Sequence, residues 1–395
     1  MKRQHSKLRI GLERLLSDQK HVLKGRRFAV VMNRASVNAD VHLACDLLAE
    51  KFPGQLRSIL SPQHGLWCEQ QANMIETAHG RHDRLEVPVY SLYSQTRRPT
   101  DEMLSEIDCL VIDLQDAGTR VYTFIWTMLY CLQECAARQI PVVVLDRPNP
   151  IGGIISEGPL LSLAFRSFVG EADIPMRHGL TIGELAGFFN KKYVLGAELN
   201  VVSMEGWRRD QYFDETGRLW IPPSPNMQTV QTGVVYPGQV LLEGINLSEG
   251  RGTTVPFEVI GAPFIDPGDF CEELQALGLQ GVQFLPIRFT PTFDKWAGQS
   301  CGGVSIHVTD RNVFRSYDMT VRVLKLCREK FPDNCLLNPP PYEYESSLMP
   351  IDIISGSSVL RECLTEQREI KAALTLDCEA WNQERSEFLL YPWSV

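Results

Sequence analysis

DCLVIDLQDAGTRVYTFIWTMLYCLQECAARQIPVVVLDRPNP (108–150) is the stretch whose reading decides the fold. DCLVIDLQD and PVVVLDRPNP are short, apolar and rich in β-branched residues. TRVYTFIWTMLYCLQECAARQ between them has the length and apolar content of a buried helix. The alternation extends toward the N-terminus through RRFAVVMN (26–33), the helical pattern of NADVHLACDLLAEKF, then LRSILSPQHG, VPVYSLY and the helix PTDEMLSEI. LNVVSM (199–204) is predicted as a further strand. Continuously apolar strands separated by helices mark a parallel sheet covered on both faces. The expected fold class is α/β, an open Rossmann-like parallel sheet.

Beyond residue 150 the chain becomes rich in Gly and Pro. TIGELAGFFNKKY (181–193) reads as a helix opened by a capping box, Thr181 with Glu184. The remainder up to about 265 is too broken for long regular elements. From 266, DPGDFCEELQALGL carries an Asp N-cap and Pro at the first helical position. The strand-like runs VQFLPIRFTPTF and GGVSIHVTD and the helix VFRSYDMTVRVLKLCREKF follow it. That order predicts a smaller α+β domain with an antiparallel sheet. LNPPPYEYE (337–345) reads as an extended linker, and ISGSSVLRECL and TLDCEAWNQERSEFLLYP as helices. The expected division is an N-terminal helical extension (1–25), a Rossmann-like catalytic domain (26–265) and an α+β auxiliary domain (266–395).

Composition narrows the function. The 395 residues hold 39 Lys and Arg against 48 Asp and Glu, a formal charge of −9, which excludes general nucleic-acid binding. No apolar run is long enough to span a bilayer, and the basic N-terminus lacks the pattern of a secretory signal, so a cytoplasmic protein is expected. The 11 cysteines include no CxxC pair, arguing against a disulfide framework or a zinc ribbon. Neither GxGxxG nor GxxxxGK[ST] occurs, so no nucleotide cofactor is expected. GxSxG and HExxH are also missing, and no metal is expected.

In open α/β sheets ligands sit outside the carboxyl ends of the strands. The tips carry Asn33, Gln63-His64-Gly65, Tyr93, Asp113 with Gln115 and Asp116, and Asp146-Arg147-Pro148-Asn149. Four segments (61–73, 113–122, 146–159 and 243–254) combine acids, amides, arginines and aromatics, a mixture suited to a polyhydroxylated ligand such as a carbohydrate. Glycosidic hydrolysis usually needs two carboxyls, one held protonated. Glu157, beside Ile154 and Ile155, is the candidate general acid, with Asp116 or Glu69 as the second carboxylate. Glu243 and Glu249 are further candidates, and His64 is a polar assistant. Candidate binding residues are Gln63, Asp113, Gln115, Arg120, Tyr122, Asp146, Arg147, Asn149, His178, Asn246, Glu249, Arg251 and Thr253. Residues 248–254 combine glycine-flanked amides with Arg251 in an anion nest.

At SPQHGLWCEQQANM, IDCLVIDLQDAGTRVYTFIWTM, VLDRPNPIGG, SFVGEADIPMRHGLTIGELA, PPSPNM, LLEGINLSEGRGTTVPFEVIGAP and CGGVSIHVTD, the chain resembles the NamZ-type exo-β-N-acetylmuramidases, formerly a domain of unknown function (DUF1343). The resemblance runs through roughly 60–310 and implies a Rossmann-like catalytic domain, an auxiliary domain and a cleft between them. It also implies release of N-acetylmuramic acid from non-reducing ends of peptidoglycan fragments, with Arg251, Arg147 or Arg120 meeting the lactyl carboxylate. Secreted members typically carry Glu before the His-Gly pair, where this chain has Gln63, and an amide cannot exchange a proton as a carboxyl does. A sugar or nucleotide-sugar transferase and a non-catalytic muropeptide-binding protein stand as alternatives.

Overall fold

The computed structural model describes residues 8–71 and 74–393. Among the described residues up to 205, nine strands form: β1 (Phe28–Met32), β2 (Leu56–Ser61), β3 (Gly80–Arg81), β4 (Pro88–Ser91), β5 (Cys109–Asp113), β6 (Val142–Leu145), β7 (Glu157–Leu160), β8 (Pro175–Arg177) and β9 (Leu199–Val202). Seven make one sheet in the order β3-β4-β2-β1-β5-β6-β9. All its pairings are parallel except β3 with β4. The α/β expectation holds, and β1, β5 and β6 are buried along their whole length.

Alternation sets what each strand residue packs against. Ala29, Val31, Leu110 and Ile112 join the core beneath the helix Phe124–Ala137. Phe28, Val30, Cys109 and Val111 join a second core with Leu12, Leu15 and Leu48. Each fully buried aliphatic side chain contributes roughly 1.5–3 kcal/mol relative to exposure, which explains why both faces of β1 and β5 are apolar up to Asp113, the residue at the carboxyl end of β5.

The helix begins at Phe124, later than its apolar pattern suggests. Arg120 N–H donates to Met176 O at 2.7 Å, and Thr119 bridges to Arg177. TRVY is therefore a bridge to β8 followed by a turn, Tyr122 N–H donating to Thr119 O at 3.0 Å. The Thr181–Glu184 capping box and the Asp266 cap both form as the sequence implies. A helix at Val230–Gln239 was hidden by Pro237 and two glycines. Ser316 reinforces that turn: its Oγ accepts from Gly238 N–H at 2.9 Å and donates to Val235 O.

The second half carries an antiparallel sheet, order β10-β12-β11, formed by β10 (Val259–Ala262), β11 (Val282–Phe289) and β12 (Cys301–Val308). A division at 265/266 would separate β10 from its partner, so this sheet draws on residues before that boundary. The N-terminal helix Gly11–Leu16 is fixed to the first domain, with Gly11 N–H donating to Asp146 O at 2.9 Å. Residues 1–7 of the expected extension lie outside the described residues. The C-terminal segment also returns to the first domain: Trp381 Nε1–H donates to His178 O at 3.1 Å and Tyr391 OH donates to Asp146. Among the described residues no helix is long and apolar enough to cross a membrane. All eleven cysteines are free, ten of them buried.

Candidate active site

A cleft opens beyond the carboxyl ends of β2 and β5, between the two halves of the chain. The first half contributes Gln63, His64, Tyr122, Thr123 and Asn226; the second contributes Tyr236, Glu243, Arg251, Tyr342 and Glu343. His64 and Gly65 both have left-handed backbone, φ 72° and 81°, and turn the chain sharply after β2. The left-handed backbone at Gly65 favours glycine there.

His64 Nδ1 lies 2.7 Å from the Gln70 carbonyl, which can only accept, so Nδ1 carries the proton. Burial, aided by Arg251, pushes the ring's pKa down to about 4. The imidazole is therefore neutral near pH 7, and Nε2 is a lone-pair acceptor suited to a sugar hydroxyl. Gln63 is fixed at both ends of its amide: its Oε1 accepts from Thr123 Oγ1 at 2.7 Å, and its Nε2 donates to Glu343 Oε1 at 3.5 Å.

Glu343 comes from the segment that reads as a linker. Tyr342 and Glu345 exchange backbone hydrogen bonds of 2.9 Å, and the residues between them, Glu343 and Tyr344, have φ of 46° and 69°. Two successive left-handed non-glycine residues in a tight turn cost of order 1–3 kcal/mol each and persist only where the surroundings impose them. Here Tyr93 OH donates to Glu343 Oε2 at 2.8 Å, and the Arg97 guanidinium lies 4.3 Å from the ring centres of both Tyr93 and Tyr344. Burial, together with the nearby charge of Glu243, pushes the Glu343 carboxyl up to about 7.

Glu243 is held in the opposite sense. Burial disfavours its charge, but Arg251 Nη2 donates to Oε1 at 2.5 Å and Tyr342 OH to Oε2 at 2.6 Å. The net effect keeps its pKa below the ordinary value. Arg251 also contacts Glu249 Oε1 at 3.2 Å, and Lys295 contacts Glu249 Oε2 at 2.5 Å. These carboxylates outweigh the effect of burial and keep the guanidinium charged.

Of the residues proposed from sequence, Gln63, His64, Tyr122, Arg251 and the further carboxyl candidate Glu243 line this cleft. Glu157 does not. It begins β7, accepts from Tyr317 N–H at 3.1 Å, and lies 3.7 Å from Arg177. Its burial raises its pKa as expected of an acid, but the group it meets is the N-terminus of the helix Ser316–Lys330. Asp116 Oδ2 accepts from Gly118 N–H at 2.8 Å and stands 3.4 Å from His178 Nε2. It is not among the residues that line the cleft, although its charge helps to raise the pKa of Tyr122, which does line it. Glu69 is exposed and lines an adjoining cavity with Trp67 and Asp46.

The remaining candidates are engaged in holding the fold. Arg147 and Asp113 form a buried bidentate pair at 2.5 and 2.8 Å. Arg120 donates to the carbonyls of Pro159, Ile174, Ile354 and Ser355 at 2.8–3.0 Å, and burial lowers its pKa to about 10. Asp146 accepts from Thr181 Oγ1 and Gly183 N–H, both at 2.8 Å, at the start of the helix Ile182–Lys192. Gln115 donates to the carbonyls of Asp116 and Pro148, and Asn149 to that of Leu180. Asn246 donates to Asn334 O, 88 residues on, and Thr253 to Gly250 O within its own loop. Sequence reading missed Glu343, Tyr342 and Tyr236. The available signal was a carboxyl flanked by tyrosines immediately after three prolines.

Two buried carboxyls in one cleft, one disposed to keep its proton and the other to lose it, are the equipment of a glycoside hydrolase. Residues 28–231 match the family model for the N-terminal part of the exo-β-N-acetylmuramidase NamZ, and residues 234–391 match that for its C-terminal part. The chain belongs to the NamZ family of exo-β-N-acetylmuramidases, a family of glycoside hydrolases. It is 41% identical over 388 residues to the peptidoglycan β-N-acetylmuramidase NamZ of Bacillus subtilis (strain 168), covering 98% of this chain and 92% of that protein. Crystal structures of two DUF1343 family proteins from Bacteroides fragilis NCTC 9343 share the fold, each match covering 98% of this chain and 99% of the other. Their TM-scores are 0.89 and 0.76, at 30% and 26% identity.

Proposed function

We propose that this protein removes N-acetylmuramic acid from the non-reducing end of peptidoglycan fragments, as a step in wall recycling within a reducing, cytoplasmic compartment. The observation that carries the reading is the opposed pair in the cleft, Glu343 raised and Glu243 lowered. Its support from kinship is the B. subtilis relative, a peptidoglycan β-N-acetylmuramidase. Arg251 is the arginine among the sequence candidates that lines the cleft, and it is proposed to meet the lactyl carboxylate. Neutral His64, the Gln63 amide and the tyrosine hydroxyls suit the ring hydroxyls and the acetamido group. Eleven free cysteines support a reducing compartment.

The test is release of chromophore from an aryl β-N-acetylmuramide and from the matching N-acetylglucosaminide, which differ in the lactyl group. Release from the muramide with little from the glucosaminide is the expected result. Equal rates would remove lactyl recognition, and binding without any turnover would leave a muropeptide-binding protein.

A further inference from the structure

We infer that Glu343, carried from the second half of the chain on the Tyr342–Glu345 turn, is the carboxylic acid that protonates the departing glycosidic oxygen, with Gln63 positioning it. The inference rests on the glycosidase reading of the cleft and names the group within it that carries the proton.

Four observations meet at this residue. Its carboxyl lines the cleft and is held at both oxygens, by Tyr93 OH at 2.8 Å and Gln63 Nε2 at 3.5 Å. Its backbone sits in the left-handed region at φ 46°, followed by Tyr344 at 69°, a conformation whose cost a linker has no reason to bear. The same turn sends Tyr342 to Glu243 at 2.6 Å, so one hairpin positions both carboxyls. Finally, a proton stays on Glu343 into the neutral range, with the carboxyl pushed up to about 7 by burial. The ionisable and charged groups facing it are Tyr93, Glu243, Arg97, Tyr236 and Tyr342. None of the charged ones is a cation in direct contact that would strip the proton.

Gln63 has a defined part in this arrangement. Thr123 occupies its carbonyl oxygen, so its NH2 end faces Glu343. An amide there donates a hydrogen bond without adding a second negative charge. In the step itself, Glu343 gives its proton to the bridging oxygen as the bond from that oxygen to the anomeric carbon breaks. The bonding pair leaves with the aglycone, which departs as an alcohol. Water adds to the anomeric carbon, and the one proton it sheds restores Glu343.

The experiment compares wild type with Glu343→Gln on two substrates. One is a disaccharide, N-acetylmuramic acid β-linked to N-acetylglucosamine, whose leaving alcohol needs a proton. The other is a 4-nitrophenyl β-N-acetylmuramide, whose phenolate leaves without one. Glu343→Gln is expected to lower kcat on the disaccharide by about 100-fold or more, to spare the aryl glycoside by at least about tenfold relative to the disaccharide, and to lose the alkaline fall of the pH profile. Equal losses on both substrates, or activity close to wild type on the disaccharide, overturn the inference. If the variant does not fold, the wild-type pH profile decides: an alkaline limb near pH 7 on the disaccharide and none on the aryl glycoside supports Glu343, and the same limb on both refutes it. Should wild type cleave neither substrate, the glycosidase reading fails with it. Wild-type cleavage with an unaffected Glu343→Gln sinks the Glu343 assignment alone.

Discussion

Replacing Gln63 by glutamate sets two carboxyls against each other at a known distance. A carboxylate oxygen in the place of Gln63 Nε2 would stand 3.5 Å from Glu343 Oε1. At an effective dielectric of about 20, two negative charges so placed repel by about 5 kcal/mol, roughly 3.5 pK units. The two groups cannot both ionise near neutrality, so they share one proton and titrate as a pair. Thr123 still donates to the second oxygen, which favours the new carboxylate being the charged partner. Gln63→Glu is therefore expected to keep Glu343 protonated to higher pH, moving the alkaline limb of kcat upward by at least about one unit. The assay is kcat against pH, from about pH 5 to about pH 9, on the muramyl disaccharide. A limb that stays where wild type has it would refute the reasoning, since it would mean that residue 63 does not face the proton donor.

Three further outcomes follow from the same geometry. Arg120→Met leaves four buried carbonyls without their donor; an equilibrium urea titration is expected to show a loss of about 3–5 kcal/mol, and a change below about 1 kcal/mol would show that the residue does not clamp the two halves. Glu343 has a folded pKa raised above its ordinary 4.5 to about 7, so its contribution to stability is greatest below the lower value and declines as pH rises through the upper one. Asp146, likewise raised to about 7, acts in the same window. Urea midpoints across that window are expected to fall less steeply in Glu343→Gln than in wild type, and identical slopes would contradict the raised pKa. Glu157→Gln keeps an acceptor for the Tyr317 N–H, so turnover is expected within about threefold of wild type; a loss of about 100-fold would bring Glu157 back into the chemistry.

How much was legible in the sequence depended on whether the signal was local. DCLVIDLQD and PVVVLDRPNP announce β5 and β6 because every residue is buried on one face or the other. TIGELAGFFNKKY announces its own cap, since the groups that satisfy each other are three residues apart. The helix Val230–Gln239 was not legible because Pro237 breaks the local pattern and its compensation, Ser316, lies 79 residues further on. The strand-tip rule found Gln63 and His64, yet it also selected Asp113, Arg147 and Asp146, whose partners are one another or the next helix. Glu157, the candidate acid, is a buried carboxyl whose pKa is raised by that burial. What sequence could not supply was the element it faces, a helix N-terminus from 160 residues away. Glu343 reaches Gln63 across 280 residues, and no local pattern encodes that approach.

The most direct test of the account is a crystal structure of Glu343→Gln with the intact disaccharide bound. The expected result is a muramyl ring in the cleft against His64 and Tyr236, with the bridging oxygen within hydrogen-bonding distance of residue 343. A disaccharide seated instead in the neighbouring cavity beside Trp67 and Glu69, or in the cleft with its bridging oxygen turned away from residue 343, would contradict it.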